Sequence, residues 1–196
     1  MIAPKITGIL LAGGKSSRMG REKGNILVGK KYLYQYPLAV LESLCDEILI
    51  STCKEMKTEK EYEQVCDEIP NIGPMGGIYS CLKKSSNEIN IVLSYDLPYA
   101  NEGLFMELLK HTESADLILP AFPEDRLQPL CGIYKKITTN VLQNRIDQKI
   151  YAMHKITPYI NTEVVIIEEN MPFFHPNLFM NINDQSDLSQ LASELS

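Results

Sequence analysis

Short apolar runs alternate with segments of helical periodicity through the first 120 residues of the chain. Four runs rich in isoleucine, leucine and valine predict strands, at residues 6–12, 47–52, 89–94 and 116–120. Three intervening segments predict helices, at residues 32–44, 75–84 and 102–111. Continuously apolar strands are buried on both faces, as in parallel sheets. The alternation therefore predicts an α/β fold: a three-layer, Rossmann-like, doubly wound and mostly parallel sheet with helices on both faces.

The pattern is less regular beyond residue 128. Residues 130–134 and 164–167 predict two more strands, and residues 138–145 and 185–195 predict two more helices. No internal repeat and no low-complexity linker interrupts the chain. We therefore expect one domain that spans residues 1–196.

Composition and charge exclude several classes of protein. The formal net charge is −6, which argues against a general nucleic-acid-binding protein. No apolar run reaches the roughly 18 residues of a membrane span, so we expect no membrane partner. The start of the chain lacks the form of a signal peptide. An odd number of cysteines without a Cys-x-x-Cys motif predicts reduced thiols in a cytoplasmic protein. The cysteines are at positions 45, 53, 66, 81 and 131.

A glycine-rich, cationic segment follows the first predicted strand. Gly13 and Gly14 allow backbone N–H groups to approach an anion, and nearby cations add charge-assisted hydrogen bonds. The four cations are Lys15, Arg18, Arg21 and Lys23. The segment is not a Walker A loop, because Ile9 stands where the first glycine belongs, and it is not Gly-x-Gly-x-x-Gly. Two interpretations follow from composition: a phosphate-binding loop, or an ordinary loop with a solvated cationic face.

A carboxylate follows the third predicted strand. In doubly wound sheets the ligand binds at the carboxyl ends of the strands, and Asp96 comes two residues after Ser94. Mg²⁺ in phosphate sites takes one or two carboxylates together with phosphate oxygens. Asp96 is therefore a candidate metal ligand, and the alternative is a turn residue that caps Leu97 and Pro98.

Five segments carry a family resemblance. Leu-Ala-Gly-Gly-x-Ser-x-Arg-Met-Gly-x-x-Lys at residues 11–23 resembles the signature of nucleotidyltransferases that condense a nucleoside triphosphate with a phosphate ester. Four further segments resemble motifs of the molybdenum cofactor guanylyltransferases, in the same order along the chain. They are Asn-Ile-Gly-Pro-Met-Gly-Gly-Ile at 71–78, Ser-Tyr-Asp-Leu-Pro-Tyr at 94–99, Gln-Pro-Leu-Cys-Gly-Ile-Tyr at 128–134 and Asn-Ile-Asn-Asp-Gln-Ser-Asp-Leu at 181–188.

This resemblance implies an activity and its substrates. The enzyme would transfer GMP from GTP to the terminal phosphate of molybdopterin, with or without bound molybdenum, and release pyrophosphate. Mg²⁺ would be the cofactor, and a transient partner in cofactor delivery is possible. Residues 1–100, approximately, would bind the nucleotide, and residues 101–196 would bind the acceptor.

The resemblance also implies site residues. Lys23, Arg18 and Asp96 would be catalytic, and Asp96 would bind the metal. Nine residues would bind the nucleotide, metal or product: Leu11, Ala12, Gly13, Gly14, Lys23, Asp67, Asp96, Asn181 and Asn183. Alternatives stay open for several of them, because Asp67 and Glu68 also fit a solvated acidic pair, and Asn181 and Asn183 also fit turn positions. Arg126 and Gln128 follow the fourth strand and are candidates to face the acceptor.

One departure and three alternative functions remain. Cys53 stands where the guanylyltransferases often carry an asparagine, so we do not assign it a base or ribose contact. A related cytidylyltransferase, a sugar-phosphate nucleotidyltransferase and a non-catalytic nucleotide-binding protein are the alternatives. The residues decide neither the base nor the oligomeric state.

Overall fold

A computed structural model describes residues 4–13, 26–123 and 126–194. A seven-stranded sheet with the order β5-β4-β1-β6-β8-β7-β9 forms its centre. Its strands are β1 (Ile6–Leu11), β4 (Glu47–Ser51), β5 (Glu63–Val65), β6 (Ile89–Ser94), β7 (Leu117–Ala121), β8 (Cys131–Lys135) and β9 (Thr162–Ile166). All neighbouring strands pair in parallel except β8, which is antiparallel to β6 and to β7. The predicted mostly parallel sheet is confirmed.

Helices cover both faces of this sheet. They are α1 (Gln35–Leu44), α2 (Pro74–Lys84), α3 (Glu102–Leu109), α4 (Thr138–Asp147) and α5 (Gln185–Glu194). One core contains residues of α1, α3 and α5, and a second core contains residues of α2 and α4. Along β1, Leu10 lies in the first core, whereas Ile9 and Leu11 lie in the second. Because successive strand residues point to opposite faces, a continuously apolar strand fills both cores. The predicted three-layer doubly wound α/β fold is therefore correct.

The segment before α1 differs from the prediction. The expected helix at residues 32–44 begins only at Gln35, because a small hairpin precedes it. Strands β2 (Leu27–Val28) and β3 (Lys31–Tyr32) pair antiparallel around Gly29, which has a φ of 61°. Glycine tolerates this left-handed conformation without steric cost, so the chain can turn tightly there.

Two other findings complete the comparison with the predicted elements. Strand β5 was not predicted, because it is three residues long and carries a polar sequence. No helix among the described residues is long and apolar enough to cross a membrane. Strands from both halves of the chain share the sheet, and the division into a nucleotide half and an acceptor half stays a prediction.

Candidate active site

Four adjacent parallel strands, β5, β4, β1 and β6, end at one edge of the sheet. Hydrogen bonds continue past the strand ends. The N–H of Ala12 donates to the carbonyl of Ser51 over 3.0 Å, and the N–H of Tyr95 donates to the carbonyl of Leu11 over 3.1 Å. The loops that follow these strands therefore start from closely fixed points. Gly13, the first residue beyond Ala12, is exposed at this edge.

The order of the strands reverses beside β1, and open α/β sheets form a crevice at such a reversal. The chain proceeds from β1 outward to β4 and β5, and then returns to β6 on the other side of β1. Ligands of open α/β sheets bind outside the carboxyl ends of the strands at such a reversal. Gly13 and Asp96 follow the two strands that flank it. Three other predicted site residues, Gly14, Arg18 and Lys23, lie outside the described residues.

Asp96 is held from two sides. The hydroxyl of Ser94 donates a hydrogen bond to Asp96 Oδ1 over 2.6 Å. The N–H of Ile182 donates to the Asp96 backbone carbonyl over 2.9 Å. Ile182 lies between Asn181 and Asn183, both exposed, so the structure brings these two predicted site residues next to Asp96. Asp96 precedes Asn181 by 85 residues and Asn183 by 87 residues in the chain, and the fold brings it next to them.

The segment that contains Asn181 and Asn183 is held by hydrogen bonds of its own. The Asn183 side-chain amide donates to the Asn181 carbonyl over 3.3 Å, and the Asn183 N–H donates to Asp187 Oδ2 over 2.7 Å. Asp187 lies in the first turn of α5, where a carboxylate is favourable. Asn181 and Asn183 thus lie in an irregular segment before α5 that hydrogen bonds hold in place, and both residues are exposed. Their role in binding stays a prediction.

The donor set at Asp96 suits a hard cation that also binds phosphate. Ser94 occupies only Oδ1, and Asp96 is half-buried. Among the described residues, no group of three or more His, Cys, Asp or Glu side chains could hold a metal by itself. Mg²⁺ in phosphate sites needs only one or two carboxylates, since phosphate oxygens and water complete its shell. A single carboxylate at the crevice fits this requirement.

Asp67 lies at the same edge, beyond β5. Three strand spacings separate β5 from β6, about 14 Å. Since Mg²⁺ binds oxygen at about 2.1 Å, a spacing of this size argues against one ion that contacts both Asp67 and Asp96. Asp67 therefore belongs to a different part of the crevice from the candidate metal ligand.

The Asp67 carboxylate lies against the first turn of α2. Its Oδ2 is 3.0 Å from the position that a Cβ on Gly76 would take, and its Oδ1 is 3.5 Å from that of Gly77. Glycine at these two positions lets the carboxylate approach the helix N-terminus, where partial positive charge is favourable to anions. Burial raises the pKa of Asp67 above its ordinary value. Its neighbour Glu68 instead forms an ion pair with Lys83 at 2.6 Å, so the two acidic residues are not one solvated pair.

The cysteine prediction is wrong for two of the five residues. Cys53, after β4, and Cys66, after β5, form a disulfide, whereas the other three are free thiols: Cys45, Cys81 and Cys131. The Asp67 N–H donates to Cys53 Sγ over 3.2 Å. An odd number of cysteines excludes the pairing of all of them, but it does not exclude a single disulfide.

Two further residues at the edge were missed. Ser94 orients the Asp96 carboxylate, and the only signal in the sequence is its position two residues earlier at a strand end. Ser51 is buried at the end of β4 under Gly77 of α2, a contact that no local pattern predicts.

The residues just before β8 also reach this edge. The N–H of Ser94 donates to the carbonyl of Leu130 over 2.8 Å, because β8 runs antiparallel to β6 and begins where β6 ends. The side-chain amide of Gln128 donates to the Arg126 carbonyl over 3.2 Å, so these two predicted acceptor-facing residues are in direct contact. Their role stays a prediction.

Comparisons with known proteins agree with this geometry. The model of the MobA-like NTP transferase domain matches residues 8–160. A probable molybdenum cofactor guanylyltransferase of Flavobacterium johnsoniae is 32% identical over 97% of this chain and 98% of its own. A molybdenum cofactor guanylyltransferase of Campylobacter jejuni is 28% identical, with 95% of each chain covered.

Solved structures share the fold. Molybdopterin-guanine dinucleotide biosynthesis protein A of Archaeoglobus fulgidus superposes with a TM-score of 0.81 at 22% identity, covering 96% of this chain and 98% of that one. A 4-diphosphocytidyl-2C-methyl-D-erythritol synthase of Anaerococcus prevotii superposes with a TM-score of 0.76 at 14% identity, covering 98% of each chain. The strand-end crevice and the family match lead to one conclusion: the chain belongs to the MobA-like NTP transferase family of nucleotidyltransferases.

Proposed function

We propose that this enzyme is a molybdenum cofactor guanylyltransferase. It transfers GMP from GTP to the terminal phosphate of molybdopterin, with or without molybdenum, and releases pyrophosphate. The observation that carries the proposal is the position of Asp96, oriented by Ser94, at the crevice beside the end of β1. Near-full-length similarity to guanylyltransferases supports the choice of substrates.

The chemistry requires positioning and charge neutralisation rather than a protein nucleophile. The acceptor phosphate is itself the nucleophile, so no Ser–His pair is needed. Its oxygen attacks the α-phosphorus of GTP, and the bond from that phosphorus to the β-phosphate bridging oxygen breaks. Mg²⁺ held by Asp96 and phosphate oxygens would neutralise charge on the triphosphate.

The remaining assignments follow the crevice from β1 to β5. Gly13 and Gly14 would let backbone N–H groups approach the phosphates. Arg18 and Lys23 would stabilise the negative charge that grows on the leaving pyrophosphate. Asp67 would contact the nucleoside, because it lies three strands from the metal ligand and its carboxylate can accept hydrogen bonds.

Asn181 and Asn183 would contact the acceptor side. Both are exposed and flank Ile182, whose N–H donates to the Asp96 backbone carbonyl. A side-chain amide can donate to phosphate oxygens and accept from groups of the pterin. The incoming phosphate would thus be bound next to the α-phosphate of GTP. Holding the two reactants together makes the bimolecular reaction effectively unimolecular.

The fold does not choose the base, since a cytidyl-forming synthase superposes nearly as well as the guanine dinucleotide protein. The deciding experiment measures pyrophosphate release with molybdopterin and GTP, CTP, ATP or UTP, at matched Mg²⁺. We expect GTP to give the highest kcat/KM. Preference for CTP would make the enzyme a cytidylyltransferase, and no release with any of the four would contradict catalysis of this transfer. Sugar phosphates as acceptors test the remaining alternative.

A further inference from the structure

A disulfide lies at the edge of the sheet that carries the proposed nucleotide site. It joins Cys53 and Cys66, whose Cα atoms are 4.3 Å apart, just beyond the ends of β4 and β5. The N–H of Thr52 donates to the carbonyl of Val65 over 2.9 Å immediately before it. The disulfide thus links the two parallel strands covalently, just beyond their last backbone hydrogen bond. Both cysteines are exposed, so a reductant can reach them.

The bridge also contacts Asp67 directly. Cys66 precedes Asp67 in the chain, and Cys53 Sγ accepts the Asp67 N–H over 3.2 Å. Cys53 Sγ therefore takes part in the disulfide and also accepts a hydrogen bond from the backbone of Asp67, the residue whose carboxylate lies against α2. On the far side of Asp67, the N–H of Glu68 donates to Ser80 Oγ over 2.9 Å. The backbone around Asp67 is therefore held by two hydrogen bonds, and the one to Cys53 Sγ involves an atom of the disulfide.

The loop that the bridge closes has other attachments. The Gln64 side chain exchanges two hydrogen bonds with the Met56 backbone, at 2.9 and 2.7 Å. Lys60 forms an ion pair with Glu42 of α1 at 2.5 Å. Opening the disulfide therefore leaves the loop attached to the rest of the protein. The change is concentrated at the backbone of residues 66 and 67.

We propose that Cys53 and Cys66 are a positioning pair for nucleotide binding, and that their oxidation state sets the affinity for GTP. In the disulfide, Asp67 is fixed where it can accept hydrogen bonds from the nucleoside. A dithiol reductant opens the bridge: its thiolate attacks one sulfur, its second thiol closes to a cyclic disulfide, and two cysteine thiols result. The freed segment then binds GTP more weakly. This inference rests on the proposed contact of Asp67 with the nucleotide.

The test compares oxidised and reduced enzyme. The Kd for GTP is measured by calorimetry before and after treatment with dithiothreitol, and thiol titration counts the opened bridge. We expect the Kd to rise about tenfold on reduction, the scale of one charge-assisted hydrogen bond. With saturating GTP, kcat should change less than about twofold, because the reacting phosphates lie nearer Asp96. An equal Kd in the two states would overturn the proposal.

Variants separate positioning from general loss of structure. Cys53→Ser and Cys66→Ser should each bind GTP like the reduced enzyme and should no longer respond to dithiothreitol. Cys45→Ser, which alters a free thiol, should keep the full response. Asp67→Asn should bind GTP weakly in both states. A tenfold response that persists in Asp67→Asn would show that the bridge does not act through this carboxylate, and would overturn the proposal.

The same measurements distinguish this inference from the proposed function. The inference is read from the ratio of Kd values in the two oxidation states. The proposed function is read from pyrophosphate release by the oxidised enzyme with molybdopterin. Tight GTP binding that weakens on reduction, without any transfer, would support the positioning pair and contradict the proposed reaction. Transfer that proceeds with a Kd independent of reduction would do the reverse.

Discussion

The hydroxyl of Ser94 donates a 2.6 Å hydrogen bond to Oδ1 of Asp96. Ser94 is the last residue of β6 and is buried, so its position is set by the sheet. Asp96 lies in the following turn, where a side chain would otherwise choose among several rotamers. The hydrogen bond selects one orientation and occupies one carboxylate oxygen. A residue at the end of a rigid strand thereby orients the candidate metal ligand in a loop.

Replacing Ser94 with alanine should raise the Mg²⁺ concentration needed for half-maximal activity by about tenfold, the lower end for losing a partner of a metal ligand. At saturating Mg²⁺, kcat should recover most of its value, because the carboxylate itself is still present. A Mg²⁺ titration of initial rates measures both quantities. Ser189→Ala on α5, which removes a similar hydroxyl that donates to Gln185, is the matched control. An unchanged Mg²⁺ requirement in Ser94→Ala would show that Ser94 does not act on a metal ligand.

Asp96→Ala should abolish turnover, with a loss of at least about 10²-fold in kcat, the scale of losing an essential electrostatic group. GTP binding should survive in part, since the glycine-rich loop and Asp67 are unaltered. Transfer assays give the first quantity and calorimetry gives the second. Asp147→Asn on α4 removes an exposed carboxylate outside the site and should leave both unchanged. Full activity of Asp96→Ala would exclude the metal role.

The sequence predicted the sheet well where burial alone determines a strand. Residues 89–94 were predicted as a strand and form β6 with those bounds, because every side chain in it is buried. Strand β5 and the hairpin at Gly29 were missed, since each depends on pairing with a distant or tightly turned partner. The position of Asp96 was predictable from its place after a strand. The contacts Ser94–Asp96, Ser51–Gly77 and Cys53–Cys66 were not, because tertiary packing, and not local pattern, brings those atoms together.

Lys23 lies outside the described residues, and its role stays a prediction from the family signature. Lys23→Ala should lower kcat by about 10²-fold or more, since it removes one donor that stabilises charge in the transition state. Steady-state kinetics with GTP measure the change. Lys5→Ala, an exposed lysine before β1, should behave as the wild type. A loss smaller than about threefold in Lys23→Ala would refute the assignment.

Glu47, at the start of β4, accepts hydrogen bonds from β1 and from the segment after α2. Its carboxylate should make the free energy of unfolding depend on pH. Its carboxylate accepts from Thr7 Oγ1 at 2.5 Å and from the N–H and hydroxyl of Ser86, both at 2.9 Å. Burial raises the pKa of Glu47, but these hydrogen bonds and the charge of Lys136 together outweigh burial and lower the pKa below its ordinary 4.5. A pKa that is lower in the folded state gives a stabilisation that is present above about pH 4.5 and lost as pH falls through the folded pKa.

Glu47→Gln should therefore lower the free energy of unfolding at pH 7 by about 1 kcal/mol, discounted for the partial exposure of the site. The difference from the wild type should shrink as the pH falls below 4.5. Urea unfolding from about pH 3 to about pH 7 measures the difference. Glu55→Gln, at an exposed position, is the control. A difference that does not vary with pH would show that the Glu47 charge is not involved.

Substitutions at Gly77 and Ser51 should have strongly non-additive effects on the free energy of unfolding. A Cβ on Gly77 would overlap Ser51 Oγ but would lie 3.3 Å from Ser51 Cβ, which is tight yet tolerable. Gly77→Ala alone should destabilise the protein by about 1–3 kcal/mol, the cost of overpacking a buried site. In Ser51→Ala the hydroxyl is gone, and the same substitution should then be nearly neutral, since alanine is about 1 kcal/mol better than glycine inside a helix. The four free energies of unfolding, from urea titrations, give the coupling directly. Equal costs of Gly77→Ala in both backgrounds would show that the Ser51 hydroxyl does not limit the approach of α2 to the end of β4.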